Sequence, residues 1–161
     1  MEVYTKLFAR FARYLLTVFE QSEAFAFNTE LIPLASGSKS LVEVDIENRL
    51  NQLPKGWLGG TRIATSISTF NEQYAPACVD RQTVVLIFSD GCDTDKPEAL
   101  LQPVRQLREQ AKRVIWVNPL LGRFEPGEAD PRMDPVKPYL SHYCSAHNLQ
   151  SLKLLGRVLL R

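Results

Sequence analysis

Cysteine is scarce in this chain. There are three in 161 residues, Cys78, Cys92 and Cys144, widely spaced and odd in number. That argues against a disulfide framework and fits a reducing cytoplasm. With no CxxC pair, a structural zinc site of the usual kind is not expected. Long apolar runs are also lacking. The first twenty residues carry charges at Glu2, Lys6, Arg10, Arg13 and Glu20. The uncharged run they leave, residues 14–19, is too short for a signal peptide's apolar region or a membrane span. Nor is there an excess of one charge. Nineteen basic residues against eighteen acidic ones give a net charge of +1, so no field points to nucleic acid or an anionic membrane as partner. Eight glycines and ten prolines exclude collagen-like and low-complexity chains.

What is present is ordinary for a globular protein: 45% hydrophobic and 23% charged residues. A chain of this length corresponds to one domain of roughly 100–200 residues and buries a sizeable core without staples. Residues 2–20 have the spacing of an amphipathic helix, with Val3, Leu7, Phe11, Leu15 and Val18 or Phe19 recurring at three- and four-residue steps. Ala24, Phe25, Ala26 and Phe27, then Leu31, Ile32, Pro33 and Leu34, predict two short strands joined tightly at Asn28-Thr29. Pro33 lacks a ladder donor and assigns its strand to a sheet edge. A helix is expected over 41–53, ended by Pro54, Gly56, Gly59 and Gly60. Another is expected over 61–74.

TVVLIFSD, residues 83–90, and VIWVNPLL, residues 114–121, are near-continuous apolar runs, the pattern of strands buried on both faces of a parallel sheet. Residues 97–112 between them have helical spacing. Pro103 there predicts a kink or a later helix start. Residues 123–138 hold Pro126, Pro131, Pro135 and Pro138 and are expected to form a long loop. A closing helix is expected over 148–160. Helices alternating with buried strands predict an α/β fold with a largely parallel sheet. No internal repeat or domain boundary is visible, so residues 1–161 are expected to form a single domain.

In an open α/β sheet, ligands bind at the carboxyl ends of the strands. Ser89-Asp90-Gly91-Cys92-Asp93-Thr94-Asp95 comes directly after the most apolar strand, and Gly59-Gly60-Thr61 opens a helix. A carboxylate and a hydroxyl meeting at such an edge suit a hard divalent cation. The plainer alternatives are a turn for the first segment and a helix cap for Thr61. Asp93-x-Asp95 does not fit an EF-hand loop. His142, Cys144 and His147 lack the i, i+4 spacing of a zinc helix, and His147-Asn148 suits a cap for the last helix. Cys92, between Asp90 and Asp93, is expected to be a poor nucleophile, because neighbouring negative charge disfavours the thiolate. No GxGxxG, P-loop, GxSxG or HExxH motif occurs.

AFAFNTEL, LGGTRIATSISTFN, VVLIFSDGCDTDKPEALLQPVRQLREQAKRVIWVNPLLG and AHNLQSL, in this order, resemble the CoxE-like von Willebrand factor A (VWA) proteins over nearly the whole chain. The resemblance implies a Rossmann-like VWA fold, a mostly parallel sheet with helices on both faces. It also implies a metal-ion-dependent adhesion site at the sheet's carboxyl edge, where magnesium takes an acidic side chain of a partner. That is binding chemistry, not catalysis. The family's site threonine matches Thr61 and its site aspartate matches Asp90. Gly59, Gly60, Ser89 and Gly91 belong to the loops around them.

The family's D-x-S-x-S motif has no counterpart before the first helix. On this resemblance the chain is expected to be an N-terminally truncated, incomplete VWA domain with its central first strand missing, marginally stable, and weak or inactive toward Mg2+. The resemblance further implies an adaptor working with a MoxR-type AAA+ ATPase on a client protein, in the maturation of molybdenum hydroxylases such as carbon monoxide dehydrogenase. The alternatives are a metal-dependent phosphoesterase using Asp90, Asp93 and Asp95, and a non-functional gene fragment.

Overall fold

The computed structural model describes residues 2–19, 21–35, 60–121, 132–146, 155–157 and 159. The chain divides into two compact units, Met1–Arg62 and Ile63–Arg161. The helix expected over 41–53, the site-loop glycine Gly59, the 123–131 part of the proline-rich loop, His147 and the start of the closing helix lie outside the described residues. Residues 155–157 and 159 of that closing helix are helical.

The first unit holds α1 (Glu2–Val18) and an antiparallel hairpin, β1 (Ala24–Phe27) and β2 (Leu31–Ala35). The hairpin is as the alternation predicts. Its register shifts between Ala24 and Phe25. Of the expected apolar stripe, Phe11 and Leu15 are half-buried. Ala9 is buried with Leu34, and Ala12, Leu16, Ala24 and Ala26 pack around them, while Val18 and Phe19 are exposed. The reason is size. Small alanines on both elements allow a close approach that bulkier side chains would block, and interiors reward close packing.

The second unit is the α/β part. Its elements are α2 (Ile63–Gln73), the single turn α3 (Ala75–Cys78), β3 (Val84–Phe88), α4 (Leu101–Gln110), β4 (Arg113–Asn118) and β5 (His142–Ser145). The strands form one parallel sheet in the order β3-β4-β5, flanked by helices. Residues 114–118 of β4 are all buried, which is why that run carries no polar alternation.

A 3₁₀ turn, Pro97–Leu100, precedes α4. Pro103 therefore falls in the first turn of the α-helix, where no intrahelical donor is required; of the two outcomes expected there, this is the later start. Asn71 Nδ2 donates to the Pro103 carbonyl at 2.8 Å, tying α2 to α4. β5 has no counterpart among the expected elements. Its four residues, HYCS, lie just past the prolines and carry no apolar run.

The register aligns the strand ends. Phe88 pairs with Val117, and Asn118 with Ser145. The loops leaving β3 and β4 therefore emerge at one edge of the sheet.

Candidate functional site

In the first unit, Gly60 has φ of 107°, a region that L-residues rarely adopt. Thr61 comes next, half-buried, and its hydroxyl donates to Asn28 Oδ1 at 3.2 Å. The Arg62 N–H donates to the Asn28 carbonyl at 2.7 Å. Asn28 sits at the bend of the hairpin, between β1 and β2. So one asparagine fixes the Thr61 segment through both its side chain and its main chain.

In the second unit, the loop after β3 is held at every residue from 89 to 92. Ser89 is buried, and its Oγ accepts the Gly91 N–H at 3.1 Å. Asp90 Oδ1 accepts the Cys92 N–H at 3.0 Å. These are the local side-chain-to-backbone bonds typical of Ser and Asp in turns. The Ser89 carbonyl accepts from Trp116 Nε1 at 3.0 Å, and the Asp90 carbonyl from Asn118 Nδ2 at 3.2 Å. Gly91 has φ of +78°, and an added Cβ would lie 3.2 Å from Met133 Cγ. Both facts call for glycine there.

The second oxygen of Asp90, Oδ2, receives no hydrogen bond among the described residues. A hard oxygen donor is thus left available on a half-buried aspartate at the sheet's carboxyl edge.

Asp93 and Asp95 do a different job. Both carboxylate oxygens of Asp93 accept N–H groups at 2.9 Å, one from Ile63 and one from Ala64. Asp95 Oδ2 accepts the Thr65 N–H at 2.9 Å. These are donors of the first turn of α2, which no helix satisfies internally. Their carboxylates also complement the positive end of the helix dipole. Asp93 and Asp95 thus cap α2 from the loop after β3. The acid cluster that a phosphoesterase would require has two of its three members engaged in this way.

A cavity of about 120 Å³ beside them is lined by Asp93, Asp95, Pro97, Leu100 and Arg132. An open groove of about 470 Å³ runs along Thr65, Ser68, Thr69 and Glu72 of α2 and across Lys96.

The other candidates do not assemble into a centre. His142 and Cys144 lie on β5. Burial pushes the Cys144 thiol above its ordinary range, which disfavours the thiolate needed for nucleophilic attack or metal binding. Cys92 is exposed. Among the described residues, no group of three or more His, Cys, Asp or Glu side chains could hold a metal ion. No described helix is long and apolar enough to cross a membrane.

Magnesium, which the sequence resemblance implies, prefers oxygen donors, keeps several waters and often takes only one or two protein carboxylates. In the second unit Asp90 Oδ2 is a donor of that type, and in the first the Thr61 hydroxyl is another. Each fits the ion in kind.

Trp116 and Asn118, which hold the Asp90 loop, and Tyr143, which accepts from Asn118, are not singled out by the sequence. The available signal was the Asn-Pro pair after an apolar run, which marks a strand end without saying what its side chain binds.

Comparison with known proteins supplies one match. The family described as VWA domain containing CoxE-like protein matches residues 1–152 of the chain. No curated protein and no solved structure matches it. The chain belongs to the CoxE-like VWA family.

Proposed function

Starting from that membership, we propose that this protein is a non-enzymatic binding module whose docking point is the Asp90 loop. The observation that carries the reading is the state of Asp90. Every residue of its turn is fastened, one carboxylate oxygen accepts the Cys92 N–H, and the other receives no hydrogen bond among the described residues. A rigid loop with one available hard donor suits recognition, because ordering it on binding costs little further entropy.

Thr61 and Asp90 would be the metal-ligating side chains, with Gly59, Gly60, Ser89 and Gly91 shaping their loops. Bound Mg2+ would supply an electrophilic point for a partner's carboxylate. The chain's own residues hold the donors in place. With two such side chains the affinity for Mg2+ is weak. Calorimetric titration of Mg2+ into the full chain is expected to show no saturation in the micromolar range. A micromolar dissociation constant would overturn the account of a partial site.

The partners proposed are a MoxR-type AAA+ ATPase and a client enzyme of the molybdenum hydroxylase type, with this chain as the adaptor between them. What supports this is the family and the preformed loop, in which Asp90 is half-buried. The direct test is binding of the purified chain to a MoxR-type ATPase, monitored by interferometry. Asp90→Ala is expected to weaken it by about tenfold or more, a change of about 1.4 kcal/mol. Binding indifferent to Asp90→Ala would remove the loop from the interface.

A further inference from the structure

We propose that Asn118, seated by Tyr143, is the positioning residue of Asp90. Its link to binding rests on Asp90 being the docking point; its effect on the loop does not.

Asn118 is the last residue of β4 and is buried. Its carboxamide makes three hydrogen bonds to three separate segments. Nδ2 donates to the Asp90 carbonyl at 3.2 Å and to the Tyr143 hydroxyl on β5 at 2.9 Å. Oδ1 accepts the Leu120 N–H at 2.8 Å, in the turn after β4. A carboxamide offers two N–H donors and one acceptor oxygen, so both donors are engaged and their directions are fixed. Lys137 Nζ lies 5.3 Å from the centre of the Tyr143 ring, a further contact on the residue that seats Asn118.

The geometry separates Asn118 from an ordinary core amide. Ser89 and Asp90 side chains tie the loop to itself. Trp116 ties the Ser89 carbonyl to β4. Asn118 is the side chain that holds the carbonyl of Asp90 itself. If its donors are lost, that peptide is free to rotate, and the Asp90 carboxylate loses its fixed position relative to the sheet edge. A binding group that must be ordered on contact binds more weakly than one held in place. Asn118 touches no ligand in this scheme and acts through Asp90 alone.

The test uses the full chain and two variants. Asn118→Ser removes the carboxamide, with both its N–H donors and the oxygen that accepts from Leu120. Tyr143→Phe removes only the hydroxyl and is the milder change, so it keeps the test valid if the first variant does not fold. The first readout is amide hydrogen exchange by NMR at Gly91 and Cys92, compared with Ile115 and Trp116 in β4. Asn118→Ser is expected to speed exchange at the two loop amides by about tenfold and to leave the β4 amides unchanged. Tyr143→Phe is expected to give a smaller rise at the same amides, and the double variant no more than Asn118→Ser alone.

A uniform rise across loop and strand would mean a general loss of stability and would overturn the proposal. So would an unchanged loop. The second readout is Mn2+ affinity by electron paramagnetic resonance, expected to weaken in step with loop exchange. Unchanged affinity in a loosened loop would overturn the link between Asn118 and binding. If the unaltered chain binds no Mn2+, the metal reading of Asp90 falls, and the exchange result alone decides whether Asn118 positions the loop.

Discussion

The central strand of the second unit and the strands of the first are buried to different depths. In the second unit, residues 114–118 of β4 are buried without a break. In the first, every residue of β1 is only half-buried, and burial in β2 is confined to Leu34 and Ala35. β4 lies between two neighbours in a parallel sheet flanked by helices, whereas β1 and β2 pair with each other, and an antiparallel hairpin keeps one face open at no topological cost. That difference also decides where a functional loop is held firmly. The Asp90 loop leaves the half-buried β3 and is fastened by the buried central strand, β4. The Thr61 segment is fastened by a hairpin bend.

The largest expected effect tests that contrast directly. Trp116 is fully buried at the middle of β4, and its indole N–H holds the Ser89 carbonyl. Trp116→Ala should cost about 3–5 kcal/mol. Phe25→Ala, in the half-buried β1, should cost about 1 kcal/mol, because only part of the ring's apolar surface leaves water on folding. Denaturant unfolding of both variants measures the gap. Equal losses would mean that the hairpin is packed as tightly as the parallel sheet.

The same contrast governs what could be read from the sequence. β3 and β4 were legible from their unbroken runs, VVLIF and VIWV; the burial on both faces that such runs imply holds for β4, while in β3 only Ile87 is buried. The hairpin was legible from its Ala-Phe alternation and its Asn-Thr break. The burial of Ala9 in α1 was not, since an alanine looks neutral until the alanines opposite it are known. β5 escaped because four half-buried or exposed residues leave no pattern.

At the candidate site, Asp90 was legible from its place after a strand. The roles of Asp93 and Asp95 were not. Their partners, Ile63, Ala64 and Thr65, lie about thirty residues earlier in the chain. No local rule connects a loop to a helix start at that separation. Asn118 was hidden in the same way, because its three bonds exist only once β3, β4 and β5 are aligned.

A middle-sized effect sharpens the comparison from the side of helix ends. α2 depends on Asp93 for two of its first-turn N–H groups. Charge-assisted caps of this kind exceed neutral ones in strength. Asp93→Ala should therefore cost about 1–2 kcal/mol, as loss of a good helix cap does. It should also raise amide exchange at Ile63 and Ala64 before any other amides of α2. A loss spread evenly along the helix would show that the cap is not what holds its start.

The smallest effect lies within the second unit and separates its exposed turns from its core. The turn after α3 is closed by Asp80, whose Oδ1 accepts from the Thr83 hydroxyl at 2.8 Å and from the Gln82 N–H at 2.9 Å. The Thr83 hydroxyl bond is the main cause that holds the Asp80 carboxyl below its ordinary value of 3.8, with the Gln82 N–H next. A carboxylate whose value is lowered on folding stabilises the folded state above its unfolded value. That contribution fades as pH falls from there through the folded value.

Thr83→Val keeps the side-chain shape and removes the donor. Carboxyl NMR titration should then show Asp80 moving back up toward 3.8. The variant should be slightly less stable than the unaltered chain at neutral pH, and the difference should vanish below the folded Asp80 value. Asp80 is fully exposed, so water screens the interaction and the change stays small beside the loss at Trp116. A difference that persists at low pH would assign the effect to the Thr83 hydroxyl's bond with the Asp80 N–H instead of to the charge.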